Sequence, residues 1–267
     1  MTNIASLPKK LTAQQRQEYL DNGFVVLRSV LSKEDVEKYK VRAGEFAHGQ
    51  MPPGSEKMMI KDVRVAKGLI NPEDPEKGLW KFVNPDKYDP LFAAYPSQPG
   101  LLDPIEDLIG SDIKAFLVMF IYKAPGIDFV HPFHQDAHYF YFAPHDDIVG
   151  TWLALDSTDT SNGTISVIPG SHKLAVLPHR EFEGNAAVFG VDGYDNRADE
   201  ITLEFNPGDA VFFHSHLLHK TGSNNSDRHR RVMTVHYASS HCRYLAENPY
   251  PPIQFRLVRG QSYEGCI

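Results

Sequence analysis

The 267-residue sequence has few cysteines, no long apolar segment and fewer basic than acidic residues. Its longest apolar run, Phe116 to Tyr122, is roughly a third of the length that a bilayer-spanning helix needs. The N-terminus lacks the charged-then-apolar layout of a secretory signal. Basic residues number 27 against 34 acidic ones, which gives a net charge of −7. These shortages argue against a membrane partner and against general binding of nucleic acid.

Cysteine occurs only at Cys242 and Cys266, which is too few for a disulfide framework and is typical of a reducing compartment. The two cysteines could still pair with each other. The tail, residues 264–267, is neither a prenylation box nor a Ser-Lys-Leu address for the peroxisome. We therefore expect a cytoplasmic protein.

The character of the chain changes near residue 110. Before it, capping residues at Thr12 and Ser32 predict two helices on either side of a short apolar strand. Residues 50–100 are rich in proline and predict irregular chain, and Asp103-Pro104 predicts the start of a short helix. After it, runs rich in Val, Ile, Phe and Thr predict strands at 114–123, 149–156, 164–168, 201–205, 210–214 and 231–238.

Helices first and many short strands later predict a mainly β protein, a barrel or sandwich core with a buttress of N-terminal helices. The length suits one large β-rich domain. We expect a single domain over residues 1–267. Its parts would be a helical region at about 1–110, a core at about 111–245 and a C-terminal extension at 246–267.

Histidine is unusually common, with 13 residues, and it concentrates in two short stretches. The first, residues 131–138, holds three imidazoles and one carboxylate. Residues two apart on a strand face the same side, so His134 and Asp136 would point ligand atoms at one position. A third ligand must come from elsewhere, and residues 213–219 hold the second histidine-rich stretch. Two imidazoles and one carboxylate leave three octahedral positions open, as Fe(II) requires to hold a chelating cosubstrate and O2.

Three arginines follow the second histidine stretch, across a predicted turn at residues 222–227. They are Arg228, Arg230 and Arg231. Strand parity does not choose among them, and only the eleven-residue offset from His219 favours Arg230. A guanidinium beside the metal can bind a carboxylate with two hydrogen bonds, which suits a 2-oxo acid whose other end chelates iron. We expect a hairpin to return Arg230 to the metal, and Thr221 could add a hydroxyl donor.

The chain resembles the phytanoyl-CoA dioxygenase family of Fe(II)- and 2-oxoglutarate-dependent oxygenases. The resemblance rests on ordered motifs between about residue 56 and residue 245. They are Glu56-Lys57-Met58-Met59-Ile60-Lys61, His131-Pro132-Phe133-His134-Gln135-Asp136-Ala137-His138-Tyr139-Phe140, Trp152, Asn162-Gly163, Pro169-Gly170-Ser171-His172-Lys173, Gly208-Asp209 with Phe212-Phe213-His214, and His236-Tyr237-Ala238-Ser239.

This resemblance implies a double-stranded β-helix, the jelly roll of the cupins. It implies that Fe(II) is held by His134, Asp136 and His219, the catalytic metal ligands. It also implies that the 2-oxoglutarate cosubstrate is contacted by Lys61, Trp152, Thr221 and Arg230. The family pattern has serine where this chain has Thr221, and either hydroxyl can donate a hydrogen bond.

The family implies an oxidoreductase that hydroxylates an unactivated C–H bond while 2-oxoglutarate and O2 yield succinate and CO2. We expect a small organic acid, an acyl-CoA or a related metabolite as the substrate. The alternative is hydroxylation, desaturation or epoxidation of a natural-product intermediate. A basic rim for a CoA group could be formed by Lys57, Lys61, Lys67, Lys77, Lys81 and Lys87. Small molecules are the only partners expected, and the protein would be a monomer or a homodimer.

Two other classes of function are less well supported. A zinc hydrolase would need a His-x-His-x-Asp-His spacing that residues 131–138 lack, and it has no use for an arginine clamp. A non-catalytic 2-oxoglutarate sensor is disfavoured because the three candidate ligands and Arg230 are all present.

Several candidate residues also have simpler interpretations. Lys61 could be an ordinary solvated lysine, Trp152 could be core packing, and Cys242 is expected to be buried and inert. Structural or supporting roles are expected for His131, His138, His145, His214 and His216. Of these, His138 could also face the substrate, as could its neighbour Tyr139.

Overall fold

The computed structural model describes residues 11–127, 129–182, 185–195, 197–245 and 253–267, with only the backbone considered at 185–187. Its helices are α1 (Ala13–Asn22), α2 (Lys33–Ala47), α3 (Val63–Ala66), α4 (Pro90–Ala94) and α5 (Pro99–Ile109). In the described ranges, none of them is both long and apolar enough to span a bilayer.

The strands fall mostly after residue 110. They are β1 (Phe24–Leu27), β2 (Met59–Lys61), β3 (Leu79–Val83), β4 (Ile113–Lys123), β5 (His131–His134), β6 (Phe142–Ala143), β7 (Ile148–Ala154), β8 (Ile165–Val167), β9 (Arg180–Phe182), β10 (Asn185–Gly190), β11 (Ile201–Thr202), β12 (Ala210–His214), β13 (His219–Thr221), β14 (Arg230–Ser239), β15 (Arg243–Tyr244) and β16 (Arg256–Arg259).

Two antiparallel sheets form the core. The major sheet has the order β1-β12-β7-β14-β4-β3-β2, with β16 also paired to β4, and the minor sheet has the order β11-β8-β13-β5. Their inner faces pack together: Trp152 and Val232 of the major sheet share one buried cluster with Ile165 and Val167 of the minor sheet. The fold is therefore the expected double-stranded β-helix, and the predicted fold class is confirmed.

The outer face of the major sheet is covered by the N-terminal helices. Phe46 on α2 and Phe92 on α4 are fully buried, and Phe92 packs edge-on against Phe120 of β4 with ring centroids 6.2 Å apart. Each such ring contributes roughly 1.5–3 kcal/mol when it is fully buried. This layer is the predicted helical buttress, and it fixes the strands that carry the inner face.

Local sequence explains where these helices begin. The Thr12 hydroxyl accepts a hydrogen bond from the Gln15 amide while the Gln15 side chain accepts one from the Thr12 amide, which is a complete capping box. Helix α1 ends at Gly23, whose φ of +83° is left-handed. Ser32 caps α2 by accepting a hydrogen bond from the amide of Asp35.

The prediction that Asp103-Pro104 begins a helix is wrong. Helix α5 begins at Pro99, and Pro104 lies inside it. A proline there removes one backbone hydrogen bond. The helix continues through it because Leu101 and Ile105 are completely buried in the core, which offsets the lost bond.

The predicted strands at 114–123, 149–156, 210–214 and 231–238 are confirmed apart from their exact ends. The strands predicted at 164–168 and 201–205 are shorter, because only Ile165–Val167 and Ile201–Thr202 pair with each other. The expected hairpin before Arg230 is wrong. Strand β13 belongs to the minor sheet and β14 to the major sheet, so the turn crosses between the two sheets.

The C-terminal extension predicted from residue 246 is partly described. Residues 246–252 lie outside the described residues. Beyond them, β16 pairs with β4 through Arg256 and Ala115, and Arg259 forms ion pairs with Asp103 and Glu106 of α5. The end of the chain therefore closes the edge where the major sheet meets the helices.

Candidate metal centre

The two histidine-rich stretches meet where strands β5 and β13 pair in the minor sheet. His134 and His219 are direct partners in this antiparallel ladder, and their ring centroids lie 4.2 Å apart. The sequence predicted Asp136 on the same strand as His134, and this is wrong. Asp136 begins a short 3-10 turn over Asp136–Tyr139. Gln135 between them still has an extended backbone, with φ −116° and ψ 127°. The Asp136 side chain therefore points to the same side as the His134 side chain.

Three ligand atoms converge at this point. Asp136 Oδ1 lies 3.5 Å from His134 Nε2 and 3.8 Å from His219 Nε2, and the three side chains are almost completely buried. One ligand atom from each residue lies within 4.8 Å of the other two. In the described residues, this is the only group of three or more such side chains that could hold a metal ion.

Both histidines are fixed in the orientation that a metal ligand needs. The Nδ1 atom of His134 lies 2.9 Å from the carbonyl oxygen of Pro132, and Nδ1 of His219 lies 2.9 Å from that of Leu217. A carbonyl oxygen only accepts, so each Nδ1 carries the proton and donates it. The lone pair of each ring is then on Nε2, the atom that faces Asp136.

The second oxygen of Asp136 is held by His236 on the major sheet. His236 Nε2 donates to Asp136 Oδ2 over 2.7 Å, and both groups are buried. With Oδ2 engaged in this way, Oδ1 is the oxygen directed at the two imidazoles. The contact also joins the turn after β5 to the major sheet at the centre of the site.

The protonation states suit metal binding. Burial alone would raise the pKa of Asp136, but the surrounding imidazoles of His219, His236 and His134 hold it well below its ordinary value. Burial, helped by the charge of His134, lowers the pKa of His219 to about 4. At neutral pH the carboxylate is ionised and His219 is neutral, as metal ligands must be.

A buried cation lies beside this trio. Arg230, at the start of β14, is 2% exposed, and its guanidinium carbon lies 5.7 Å from the centroid of the Trp152 ring. Its Nε has no hydrogen-bond partner, and within the described chain Arg230 forms no ion pair. Burial lowers its pKa to about 10, so it keeps its charge at neutral pH. A buried guanidinium without an anion is the partner that a carboxylate ligand would need.

Lys123 joins Arg230 to Thr221. Lys123 and Arg230 are cross-strand partners on β4 and β14. The Lys123 ammonium donates to Thr221 Oγ1 over 3.1 Å and to the carbonyl oxygens of Phe129 and Gly222. Because an ammonium can only donate, Thr221 accepts from it, and its own hydroxyl proton is free for another acceptor.

The structure therefore brings together six of the seven residues expected to form the site. The metal trio lies in one group, and Arg230, Trp152 and Thr221 lie beside it. Phe213 connects the two groups: its ring centroid is 4.8 Å from that of His219, and it shares a buried cluster with Trp152. Lys61 is exposed at the end of β2, and in the described residues it forms no hydrogen bond or ion pair.

The other histidines near the site contact one another, the backbone or, for His214, a carboxylate. His138 stacks on His179 with ring centroids 4.2 Å apart, and its Nε2 is buried without a partner. His145 Nδ1 lies 3.0 Å from His216 Nε2, and His214 Nε2 lies 3.1 Å from Asp146 Oδ1. His131 packs against His134 at a centroid distance of 4.4 Å.

Two residues that the sequence reasoning missed are part of the site. His236 occurs in one of the quoted motifs, but nothing in its local sequence indicates that it reaches Asp136. Lys123 closes the predicted strand 114–123, and alternation along that strand would have placed it on the inner face with Ile121. That alternation was the available signal for a buried lysine.

Known proteins are similar to this chain over most of its length. The model of the family described as phytanoyl-CoA dioxygenase matches residues 19–232. A probable phytanoyl-CoA dioxygenase from Caenorhabditis elegans is 34% identical over 246 residues, which cover 88% of this chain and 78% of that protein. The peroxisomal phytanoyl-CoA dioxygenase of Rattus norvegicus is 33% identical over 88% of this chain and 71% of its own.

A solved structure shares the fold at low sequence identity. It is the epimerase SnoN in complex with Fe3+, alpha ketoglutarate and nogalamycin RO, with a TM-score of 0.68. The match covers 95% of this chain and 96% of the epimerase at 17% identity. This likeness supports the double-stranded β-helix described above.

Proposed function

The chain belongs to the phytanoyl-CoA dioxygenase family and is an Fe(II)- and 2-oxoglutarate-dependent dioxygenase, and on that premise we propose that it hydroxylates an unactivated C–H bond of a small organic acid, an acyl-CoA or a related metabolite. Succinate and CO2 are the co-products. The names of two relatives support an acyl substrate, since they are a probable and a peroxisomal phytanoyl-CoA dioxygenase.

The metal ligands in this proposal are His134, Asp136 and His219. One observation carries it: Nε2 of both histidines and Oδ1 of the aspartate converge in a buried site, beside a guanidinium that has no anionic partner among the described residues. Two nitrogens and one oxygen are the donor set of the facial triad that binds non-haem Fe(II). Iron and 2-oxoglutarate, when bound, supply the oxidising chemistry with O2.

The cosubstrate residues in this proposal are Arg230, Thr221 and Trp152, with Lys61 included on the family motif alone. Arg230 would bind the distal carboxylate of 2-oxoglutarate, and the free hydroxyl proton of Thr221 would donate to the same group. Trp152 would form one wall of the pocket. Lys123 would hold Thr221 in place through the hydrogen bond between them.

The remaining task of the chain is to orient the substrate and to exclude water. The space between the two sheets is lined by completely buried side chains, among them Val232 and Leu217. These side chains would keep water away from a metal bound there. The protein's contribution is position and a dry environment, while the bound groups carry the redox step.

We further propose that residues 1–267 form one oxygenase domain. Support comes from β16 near the end of the chain and from β2 and β3 before residue 110, since all three belong to the major sheet. The protein would act on small molecules as a monomer or a homodimer. The cytoplasm remains the proposed location, because both cysteines are free thiols.

A turnover assay tests the proposal. Protein loaded anaerobically with Fe(II) is mixed with 2-oxoglutarate and exposed to air, with and without free carboxylic acids, acyl-CoA thioesters and small amines. Succinate is then measured. We expect an acid or an acyl-CoA to stimulate succinate release, and we expect Asp136→Ala to release none.

Stimulation by amines alone would reject the substrate class but keep the chemistry. If verified iron-loaded protein releases no succinate under any condition, the proposed activity itself is wrong.

A further inference from the structure

Strand β5 carries a further histidine, His131, whose direction is set by an irregularity in the pairing of β5 with β13. On β13, His219 and Thr221 are two positions apart, but their partners on β5, His134 and His131, are three positions apart. The extra residue on β5 forms a β-bulge, and bulges beside active sites often redirect a side chain. In a regular strand, residues three apart face opposite sides, so without the bulge His131 would point away from His134.

The contacts around the bulge show that His131 faces the site. Its ring centroid lies 4.4 Å from that of the candidate metal ligand His134. Phe133 points the other way, into a separate buried cluster, where the ammonium of Lys220 lies 4.6 Å from the centroid of its ring. The bulge therefore turns both histidines of β5 to the inner face and leaves Phe133 on the outer one.

His131 lies between the metal ligands and the residues proposed to hold the cosubstrate. Directly paired residues of an antiparallel ladder have side chains on one face, with Cβ atoms about 4.5–5.5 Å apart. The partner of His131 is Thr221. Thr221 accepts a hydrogen bond from Lys123 over 3.1 Å, and Lys123 is the strand partner of Arg230. Neighbouring residues thus connect His134 through His131 to Arg230, and 2-oxoglutarate would extend along the same path.

The hydrogen-bonding capacity of His131 is unused by the protein. In the described ranges its side chain forms no hydrogen bond or ion pair, whereas His134 and His219 each donate to a carbonyl oxygen. Neither ring nitrogen of His131 is among the fully buried polar atoms without a partner, so neither is sealed off. An imidazole has at least one N–H in either charge state, so a donor is always available.

A metal ion does not account for this free donor. Among the described residues, the group that could hold a metal consists of His134, Asp136 and His219, without His131. The distal carboxylate of 2-oxoglutarate does account for it, because an ionised carboxylate has about four acceptor positions. Two hydrogen bonds from Arg230 and one from the Thr221 hydroxyl would leave one position open on the side where His131 is paired with Thr221.

We propose that His131 is a cosubstrate-binding residue, which donates a hydrogen bond from its ring to the distal carboxylate of 2-oxoglutarate. The inference rests on the proposed function. It makes His131 a determinant of specificity for a 2-oxo diacid. A 2-oxo acid that ends in a methyl group would leave the His131 donor without an acceptor, and a site built to form hydrogen bonds rejects such analogues.

The test measures binding and needs no turnover. Wild-type protein and variants are loaded with Mn²⁺ and titrated calorimetrically with 2-oxoglutarate and with 2-oxopentanoate, which has a methyl group in place of the distal carboxylate. His131→Phe keeps a ring against Phe129 and His134 and removes both nitrogens. We expect this variant to raise the Kd for 2-oxoglutarate about tenfold or more, because a hydrogen bond to a charged group is lost. The Kd values for 2-oxopentanoate and for Mn²⁺ should not change.

Two further variants assign the effect to the ring nitrogens. His131→Gln retains an N–H donor and should recover part of the affinity for 2-oxoglutarate that His131→Phe loses. His241→Phe is the matched control, because it makes the same exchange at an exposed histidine that stacks on Tyr263. It should bind 2-oxoglutarate like wild type.

The inference is overturned if His131→Phe binds 2-oxoglutarate as tightly as wild type does. It is also overturned if His131→Phe weakens 2-oxoglutarate and 2-oxopentanoate equally, since the contact would then lie at the metal end of the cosubstrate. Loss of Mn²⁺ affinity in His131→Phe would show that the residue only supports His134. Failure of wild-type protein to bind Mn²⁺ and 2-oxoglutarate would count against the proposed function, so the two failures are distinguishable.

Discussion

One hydrogen bond sets the direction of the carboxylate in the metal site. His236 donates to Asp136 Oδ2 from the opposite sheet, which leaves Oδ1 facing the two imidazoles. Partners of this kind typically change metal affinity by about 10–100-fold when they are removed. His236 is therefore a positioning residue, and its role is separable from that of the ligands.

We predict that His236→Leu weakens Mn²⁺ binding by about 10–100-fold, because Asp136 loses its orientation while all three ligands remain. Metal titration followed by calorimetry measures this. His236→Asn, which can still donate a hydrogen bond, should recover part of the affinity. His48→Gln, at an exposed position on the end of α2, is the control. Equal Mn²⁺ affinity in His236→Leu and wild type would show that His236 does not position Asp136 for metal binding.

Arg230 should separate cosubstrate binding from metal binding. We predict that Arg230→Ala raises the Kd for 2-oxoglutarate about 100-fold and leaves the Kd for Mn²⁺ unchanged, because a buried carboxylate would lose its charged partner. The matched control is Arg228→Ala, which removes an exposed arginine that pairs with Asp159. Loss of the metal with unchanged 2-oxoglutarate affinity would show that Arg230 has been assigned wrongly.

Sequence reasoning reached the residues whose spacing is itself diagnostic. His134 and Asp136 are two positions apart, and the eleven-residue offset from His219 selected Arg230. Sequence reasoning missed His236 and Lys123, because each contacts a residue about 100 positions away along the chain. Only the pairing of β4, β7 and β14 brings such residues to one place.

At the scale of elements, an ion pair fixes the end of β7 to the start of β14. Asp156 accepts hydrogen bonds from Nε and from the second terminal nitrogen of Arg231, at 2.8 and 2.9 Å, and from its amide. Burial would raise the pKa of Asp156, but these contacts keep it below its ordinary value. Arg231 directly follows Arg230 in the chain, so the pair holds in place the strand end that carries Arg230.

The sign of the pH effect follows from the lowered pKa of Asp156. The carboxylate stabilises the fold fully above the ordinary aspartate pKa of about 4, and this contribution is lost as pH falls through the lower pKa of the folded state. We predict that Asp156→Asn reduces the free energy of unfolding by about 1–3 kcal/mol at pH 7. The difference from wild type should shrink below about pH 4.

Urea unfolding of both proteins at several pH values tests this. Glu37→Gln, which changes a carboxylate on the exposed side of α2, serves as the control. A difference between wild type and Asp156→Asn that stays constant from pH 7 to the acid limit would contradict the assignment.

The elements themselves were predicted unevenly. Long strands such as β4 and β14 and the capped helices α1 and α2 were visible, because periodicity and capping residues are local signals. Strands of two or three residues, such as β11 and β13, have no sequence pattern of their own. They form because they pair with neighbouring strands. Helix α5 was misplaced, because burial of its apolar face overrides the local signal of Pro104.

At the scale of the whole molecule, the site joins two sheets. The candidate ligands His134 and His219 belong to the minor sheet, while Arg230 and Trp152 belong to the major sheet. A bound metal and 2-oxoglutarate would therefore connect both halves of the core. Ligands that bind only the folded state stabilise it in proportion to the logarithm of their concentration.

We predict that Mn²⁺ raises the Tm of the wild-type protein and that 2-oxoglutarate raises it further only when Mn²⁺ is present. At a concentration of 100 times Kd, each ligand adds about 2.7 kcal/mol. Differential scanning calorimetry measures both shifts. Asp136→Ala should lose both, and Arg230→Ala only the second. A rise with 2-oxoglutarate alone, in metal-free protein, would contradict this order of binding.

The overall architecture was accessible from sequence, since helices before strands and the family motifs together predicted the jelly roll. The role of the chain's end was not. β16 joins β4 through backbone hydrogen bonds, and its four residues show no alternation that would predict a strand.

The most direct test of the central claim is succinate production by the wild-type protein with each component left out in turn. The account predicts succinate only when Fe(II), 2-oxoglutarate and O2 are all present, and none from Asp136→Ala under the same conditions. Succinate that forms without added iron in metal-free protein, or at an equal rate in Asp136→Ala, would contradict it.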